Sequence, residues 1–93
     1  MDYLLKKNES EILVEIRTRR LNDDIVDQLI MYRKMLKMTQ QDIADRTGIK
    51  RANIARLESK KHSVTLESLI KYADCLNMDV KIELCPKQHA ESN

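Results

Sequence analysis

Apolar side chains recur at Ile25, Val26, Leu29, Ile30, Tyr32 and Leu36, close to the 3.6-residue period of a helix with one buried face. Asn22, followed by the acidic pair Asp23 and Asp24, is a helix start signal and places this element over 22–36. A shorter helix is predicted upstream, over 11–20. Ser10 can cap it, Ile12, Leu13 and Ile16 share one side, and Arg17, Arg19 and Arg20 end it where positive charge suits the helix dipole.

Thr39 with Asp42 three residues later is a variant of the capping box, and it opens a helix over 40–47. Gly48, the single glycine of the chain, stops that helix. A left-handed backbone costs a residue with a Cβ about 1 kcal/mol, so a glycine at this point predicts a tight turn. Apolar spacing resumes at Ala52, Ile54, Ala55 and Leu57, which predicts a helix over 51–59. A polar link over 60–64 follows. Thr65 then caps a helix with Glu67 in its first turn, an apolar stripe of Leu66, Leu69, Ile70, Ala73 and Leu76, and Asn77 as its end.

Beyond Asn77 the period falls to two. Val80, Ile82 and Leu84 alternate with Lys81, Glu83 and Cys85 until Pro86. This predicts one β-strand with no partner strand in the chain. A second copy would pair with it across a two-fold axis, which makes Val80, Ile82 and Leu84 the expected dimerisation residues. Residues 87–93 are predicted to be a disordered tail.

Composition narrows the class. Ninety-three residues make one small domain, and a single glycine, a single proline and no phenylalanine or tryptophan argue against a sandwich or barrel. With 42% hydrophobic and 34% charged residues the chain folds around an aliphatic core, in which Met31, Met35, Met38 and Met78 serve as gap-fillers. No apolar run approaches a membrane span, and the first twenty residues are too charged for a signal peptide, so a cytoplasmic protein is expected. Cys75, Cys85, His62 and His89 lack metal-ligand spacing and form no Cys/His nucleophile; no cofactor or metal is expected. The net charge of +2 is uninformative, but its distribution is not: residues 39–61 carry six Lys or Arg against three acids.

That basic segment has the spacing of a DNA-binding helix-turn-helix. Ala44 is small enough for two helices to approach, Gly48 makes the turn, and Ile43, Ile49, Ile54 and Leu57 form the contact between them. Lys50, Arg51, Asn53 and Arg56 are left to face outward at a helix N-terminus, which suits a major groove and its phosphates. Residues 22–76 resemble the Cro/CI-type phage repressors, the XRE family, through the pattern Thr39, Gln40, Ala44, Gly48, Ile54 and Glu58. The resemblance implies an all-α, five-helix lambda-repressor-like domain, here preceded by an extension over 1–21 with its own short helix and followed by the dimerisation strand over 77–86. That last segment resembles antitoxins of the HigA and HipB kind.

By the resemblance, Arg51, Ala52 and Arg56 fall where the family reads base edges. Gln40 falls where a residue fixes a backbone phosphate and buttresses the recognition helix. Arginine bidentate to guanine and alanine against a thymine methyl fit the first set. Gln41, Lys50, Asn53, Lys60 and Lys61 are phosphate candidates, although for any one charged residue a solvated surface is the plainer alternative. Three positions depart from the family: Lys37 and Ser59-Lys60 where glycine is frequent, and Lys50 where a capping Ser or Thr is common. Glu58 is expected to be structural, pairing with Arg46 or Arg33. The residues contain no carboxylate pair and no phosphate-cradling glycine loop, so an enzyme is not expected. The function expected is a homodimeric regulator on a pseudo-palindromic operator in double-stranded DNA. The alternative is an antitoxin that masks a protein toxin, with residues 1–21 packing on their own domain, bridging a dimer or docking the partner; packing is preferred.

Overall fold

A computed structural model of the chain describes residues 8–88. Leu4, Leu5, His89 and the expected tail beyond it lie outside the described residues. Among the described residues there are four helices: α1 (Glu9–Met35), α2 (Gln40–Thr47), α3 (Arg51–Glu58) and α4 (Leu66–Cys75). The architecture is all-α, and it corrects the expectation of five helices and a C-terminal strand.

The first correction concerns α1, where the segments expected over 11–20 and 22–36 form one helix of 27 residues. Its cap is Asn8, not Ser10. The Asn8 side chain accepts from the Glu11 backbone N–H at 2.8 Å, and Glu11 accepts from the Asn8 N–H in return, a complete capping box. Nothing breaks the helix downstream, since residues 9–35 contain neither glycine nor proline. Asn22, the supposed start signal, is buried and serves another element: its amide donates to the His62 carbonyl at 3.2 Å, and its carbonyl accepts from the Val64 N–H at 2.8 Å. A side chain holding the loop before α4 is not available to cap its own helix.

The second correction concerns residues 77–86, where no strand forms. A strand is defined by a ladder to a neighbour, and this segment has none among the described residues. Val80 packs against the core, whereas Ile82 and Leu84 are 67% and 99% exposed. Alternation in the sequence therefore does not mark a buried face here. The likeness to HigA and HipB antitoxins rested on this strand and loses its footing with it.

The core lies where α2, α3 and α4 meet the C-terminal half of α1. Leu29, Met38, Ile43, Ala44, Ile54, Leu69, Tyr72, Ala73 and Leu76 are buried together, with Ile25, Ile49, Leu57 and Met78 packed around them. Of the four methionines expected as filler, Met38 and Met78 take that role; Met31 and Met35 are exposed. The extension expected to pack on its own domain does not: every described residue from 8 to 21 is exposed.

Among the described residues, three that are not glycine have a left-handed backbone: Lys37 (φ 59°), Lys60 (φ 63°) and Asn77 (φ 60°). Lys37 and Asn77 close α1 and α4 in the same way. The next N–H reaches back to the helix, from Met38 to the Arg33 carbonyl and from Met78 to the Ala73 carbonyl. Asparagine tolerates this conformation; lysine adopts it at a cost. Lys37 and Lys60 are two of the positions where the resemblance led to the expectation of glycine, so the backbone keeps the conformation while the side chain has changed.

Candidate nucleic-acid interface

Each end of α2 is fixed by its own sequence. The Thr39 hydroxyl accepts from the Asp42 N–H at 3.0 Å, and the Asp42 carboxylate accepts from the Thr39 N–H at 2.7 Å. That backbone bond, together with the Thr39 hydroxyl, holds the Asp42 carboxyl below the usual carboxylate range. At the other end Gly48 is left-handed (φ 78°) and its N–H reaches the Ala44 carbonyl at 2.9 Å. No atom lies within 4 Å of where a Cβ would stand, so the backbone alone makes glycine favourable there. Lys50 then caps α3 with extended backbone and no side-chain cap bond. The departure from a capping Ser or Thr leaves its ammonium free of that duty.

α3 divides into two faces. Ile54 is fully buried and Leu57 and Glu58 are partly buried, while Arg51, Ala52, Asn53 and Arg56 are exposed. At 100° per residue, Ala52 and Arg56 stand near the middle of the outward face, with Arg51 and Asn53 at its flanks. Neither Lys50, Arg51, Arg56 nor Lys61 carries a side-chain hydrogen bond or ion pair among the described residues. The three acids of the segment are all engaged elsewhere: Asp42 in the cap, Asp45 accepting from the Gln41 amide at 2.8 Å, and Glu58 in the interior. Apart from Lys60, which pairs with Asp27, the basic excess therefore faces water uncompensated. Asn53 and Arg56 also line a shallow groove of about 350 Å³ with His62, Ser63 and Thr65.

The inner end of α3 is held by a buried charge network. Glu58 takes both prongs of the Arg33 guanidinium, Nε to Oε2 and Nη2 to Oε1, each at 2.9 Å. Of the two partners expected for Glu58, the structure selects Arg33. The Tyr72 hydroxyl donates to Oε2 at 2.6 Å, and the Gln40 amide donates to Oε1 at 3.1 Å. Arg33 also donates to the Met38 carbonyl at 2.9 Å and to the Tyr72 hydroxyl oxygen at 3.1 Å. One carboxylate thus joins all four helices. Burial pushes the Glu58 carboxyl up, but the hydrogen bonds from Arg33, Tyr72 and Gln40 outweigh it and hold it below its usual range. Burial and the Glu58 charge together drive the Tyr72 hydroxyl well above its ordinary value.

This places the remaining expected residues. Gln40 is half-buried, and one of its two amide N–H groups is committed to Glu58, the buttressing role that the resemblance implied. Gln41 is exposed beside Asp45. Lys60 departs from expectation: its ammonium is paired with Asp27 of α1 at 2.7 Å, which raises its pKa. Arg33 was one of the two partners expected for Glu58, but sequence reasoning missed Tyr72 as the third member of their network and Asn22 as the residue that holds the loop after α3. Asn22 meets its partners 40 and 42 positions away, and Tyr72 meets Glu58 and Arg33 at separations of 14 and 39, beyond any local pattern.

Two short helices that share one core through a glycine turn, the second presenting a bare basic face, define a helix-turn-helix domain of the DNA-binding class. A Helix-turn-helix family model matches residues 29–81, more than half of the chain, and the chain belongs to this family in its XRE-type form. The family is one of DNA-binding regulators, not of enzymes. Similar to it is the cryptic phage CTXphi transcriptional repressor RstR of Vibrio cholerae, 33% identical over 69 residues that span 74% of this chain and 61% of that protein. The chain therefore covers under two thirds of this curated relative's length. No solved structure gives a significant match. Among the described residues no group of three or more His, Cys, Asp and Glu is placed to hold a metal ion, and no helix is long and apolar enough to cross a membrane.

Proposed function

We propose that the chain is a transcriptional repressor that binds double-stranded DNA by laying α3 in the major groove, as a homodimer on a pseudo-palindromic operator. The observation that carries this reading is the outward face of α3, where cations with no partner among the described residues flank an exposed alanine. Arg51 and Arg56 have the bidentate geometry that guanine requires, and Ala52 suits a thymine methyl. Gln40 with its second N–H, Gln41, Lys50, Asn53 and Lys61 hold phosphates; Lys60 joins them by exchanging Asp27 for the backbone. Repression, more narrowly than regulation, draws support from the similarity to a phage repressor.

The test is fluorescence anisotropy of the DNA upstream of the chain's own gene against a scrambled duplex, over a salt series. A preference that survives physiological salt is expected, with Arg56→Ala costing about 1–3 kcal/mol and relaxing base choice. Equal affinity for both duplexes, vanishing together as salt rises, would mean electrostatic contact alone and defeat the reading.

A further inference from the structure

The N-terminal half of α1 carries an apolar stripe that its own domain does not cover. Ile12, Leu13 and Ile16 are 43%, 54% and 40% exposed. At 100° per residue their common direction lies roughly 110° around the helix from the core-facing residues Val26, Leu29 and Arg33, so the face that docks on the domain does not extend to them. A helical overhang of this length is marginal in water without a covering surface.

The ends of the stripe indicate what covers it. Glu9 precedes Ile12 on the same face and Arg20 follows Ile16, and neither has a hydrogen bond or ion pair among the described residues. With one charge of each sign at its ends, the stripe offers DNA or an anionic lipid surface no net attraction. A second α1 laid parallel would set like charge against like. Laid antiparallel, it is complementary: Glu9 and Arg20 are equidistant from the point midway between Leu13 and Ile16, so one register satisfies both pairs.

We propose that two copies of the chain associate through an antiparallel pairing of the N-terminal halves of α1, with Leu13 of each copy against Ile16 of the other and Glu9 against Arg20. The contact is isologous, so every pair occurs twice. It rests on the dimeric repressor reading for its purpose, to fix the two recognition helices about a two-fold axis, but not for its test.

Sedimentation equilibrium of the full chain at micromolar concentration, without DNA, is the experiment. A dimer is expected. Ile16→Asp should reduce it to a monomer that loses at most the helical signal of the overhang and keeps the cooperative thermal transition of the domain. Glu9→Arg or Arg20→Glu alone should weaken the dimer about tenfold, because symmetry makes each substitution act twice, and the two together should restore it. A wild-type monomer, a dimer indifferent to Ile16→Asp, or a double variant no better than either single one would each overturn the pairing. A monomer that still prefers its upstream DNA would reject this pairing and leave α3 as the reading element; a dimer without that preference would do the reverse.

Discussion

The two halves of α1 belong to one unbroken helix but live in different solvents. From Asn22 to Arg33 the helix is anchored by buried Val26 and Leu29, by a side chain that fixes the α3–α4 loop, and by a guanidinium at the centre of the core network. From Glu9 to Leu21 it has caps and internal hydrogen bonds but no covering surface. Helical propensity is similar in both halves, so the contrast teaches that tertiary burial, not local preference, fixes which half is structurally indispensable.

The widest gap between the halves is expected in amide exchange. In the dilute chain, amides near Leu13 and Ile16 exchange through local opening, and those near Val26 and Leu29 only through global unfolding, a difference on the order of 5 kcal/mol. Hydrogen exchange followed by mass spectrometry measures it, and equal protection would erase the contrast. Next comes Glu58→Ala, which strands Arg33 and should cost about 3–5 kcal/mol in urea denaturation. The same carboxylate gives stability a pH dependence of definite sign. Its folded pKa is lowered, so its contribution is complete above the ordinary glutamate range and is lost as pH falls through the lowered value. The acid-side loss should therefore shrink in Glu58→Gln, leaving the part carried by the capping carboxylate of Asp42.

Smaller effects sharpen the boundary between the halves. Asn22→Ala removes two bonds to the loop and should cost about 1–3 kcal/mol, marking Asn22 as the first residue of the anchored half. A loss below a few tenths would move that boundary toward Val26. Lys37→Gly, at the far end of the same half, should raise stability by about 0.5–1 kcal/mol by relieving a left-handed lysine. Thermal denaturation that shows no gain would mean the lysine stem supplies compensating contacts.

Local signals in the sequence were reliable at α2 and at the start of α4, although at α1 the equally local Asn8/Glu11 box was passed over for Ser10. The Thr39/Asp42 box, the left-handed Gly48 and the Thr65 cap, whose hydroxyl accepts from the Ser68 N–H at 3.1 Å, fix the ends of α2 and α4 within a few residues of one another. The outward face of α3 followed from spacing alone, because helical geometry determines it once Ile54 and Leu57 are inside. The remaining failures share a cause. Asn22 carries the composition of a cap but is claimed by a loop 40 residues later, and the alternation at 80–84 reproduces a strand pattern without a ladder to satisfy it. Arg33 was an expected partner of Glu58, but the addition of Tyr72 depends on three distant positions meeting, which no short-range pattern records.

The division of α3 into two faces has an evolutionary consequence. Ile54 and Glu58 hold the helix in place, while Arg51, Ala52, Asn53 and Arg56 have no duty toward the fold. Substitutions on that outer surface can drift without threatening viability of the scaffold, so descendants of one such chain could acquire new targets while inheriting an unchanged frame.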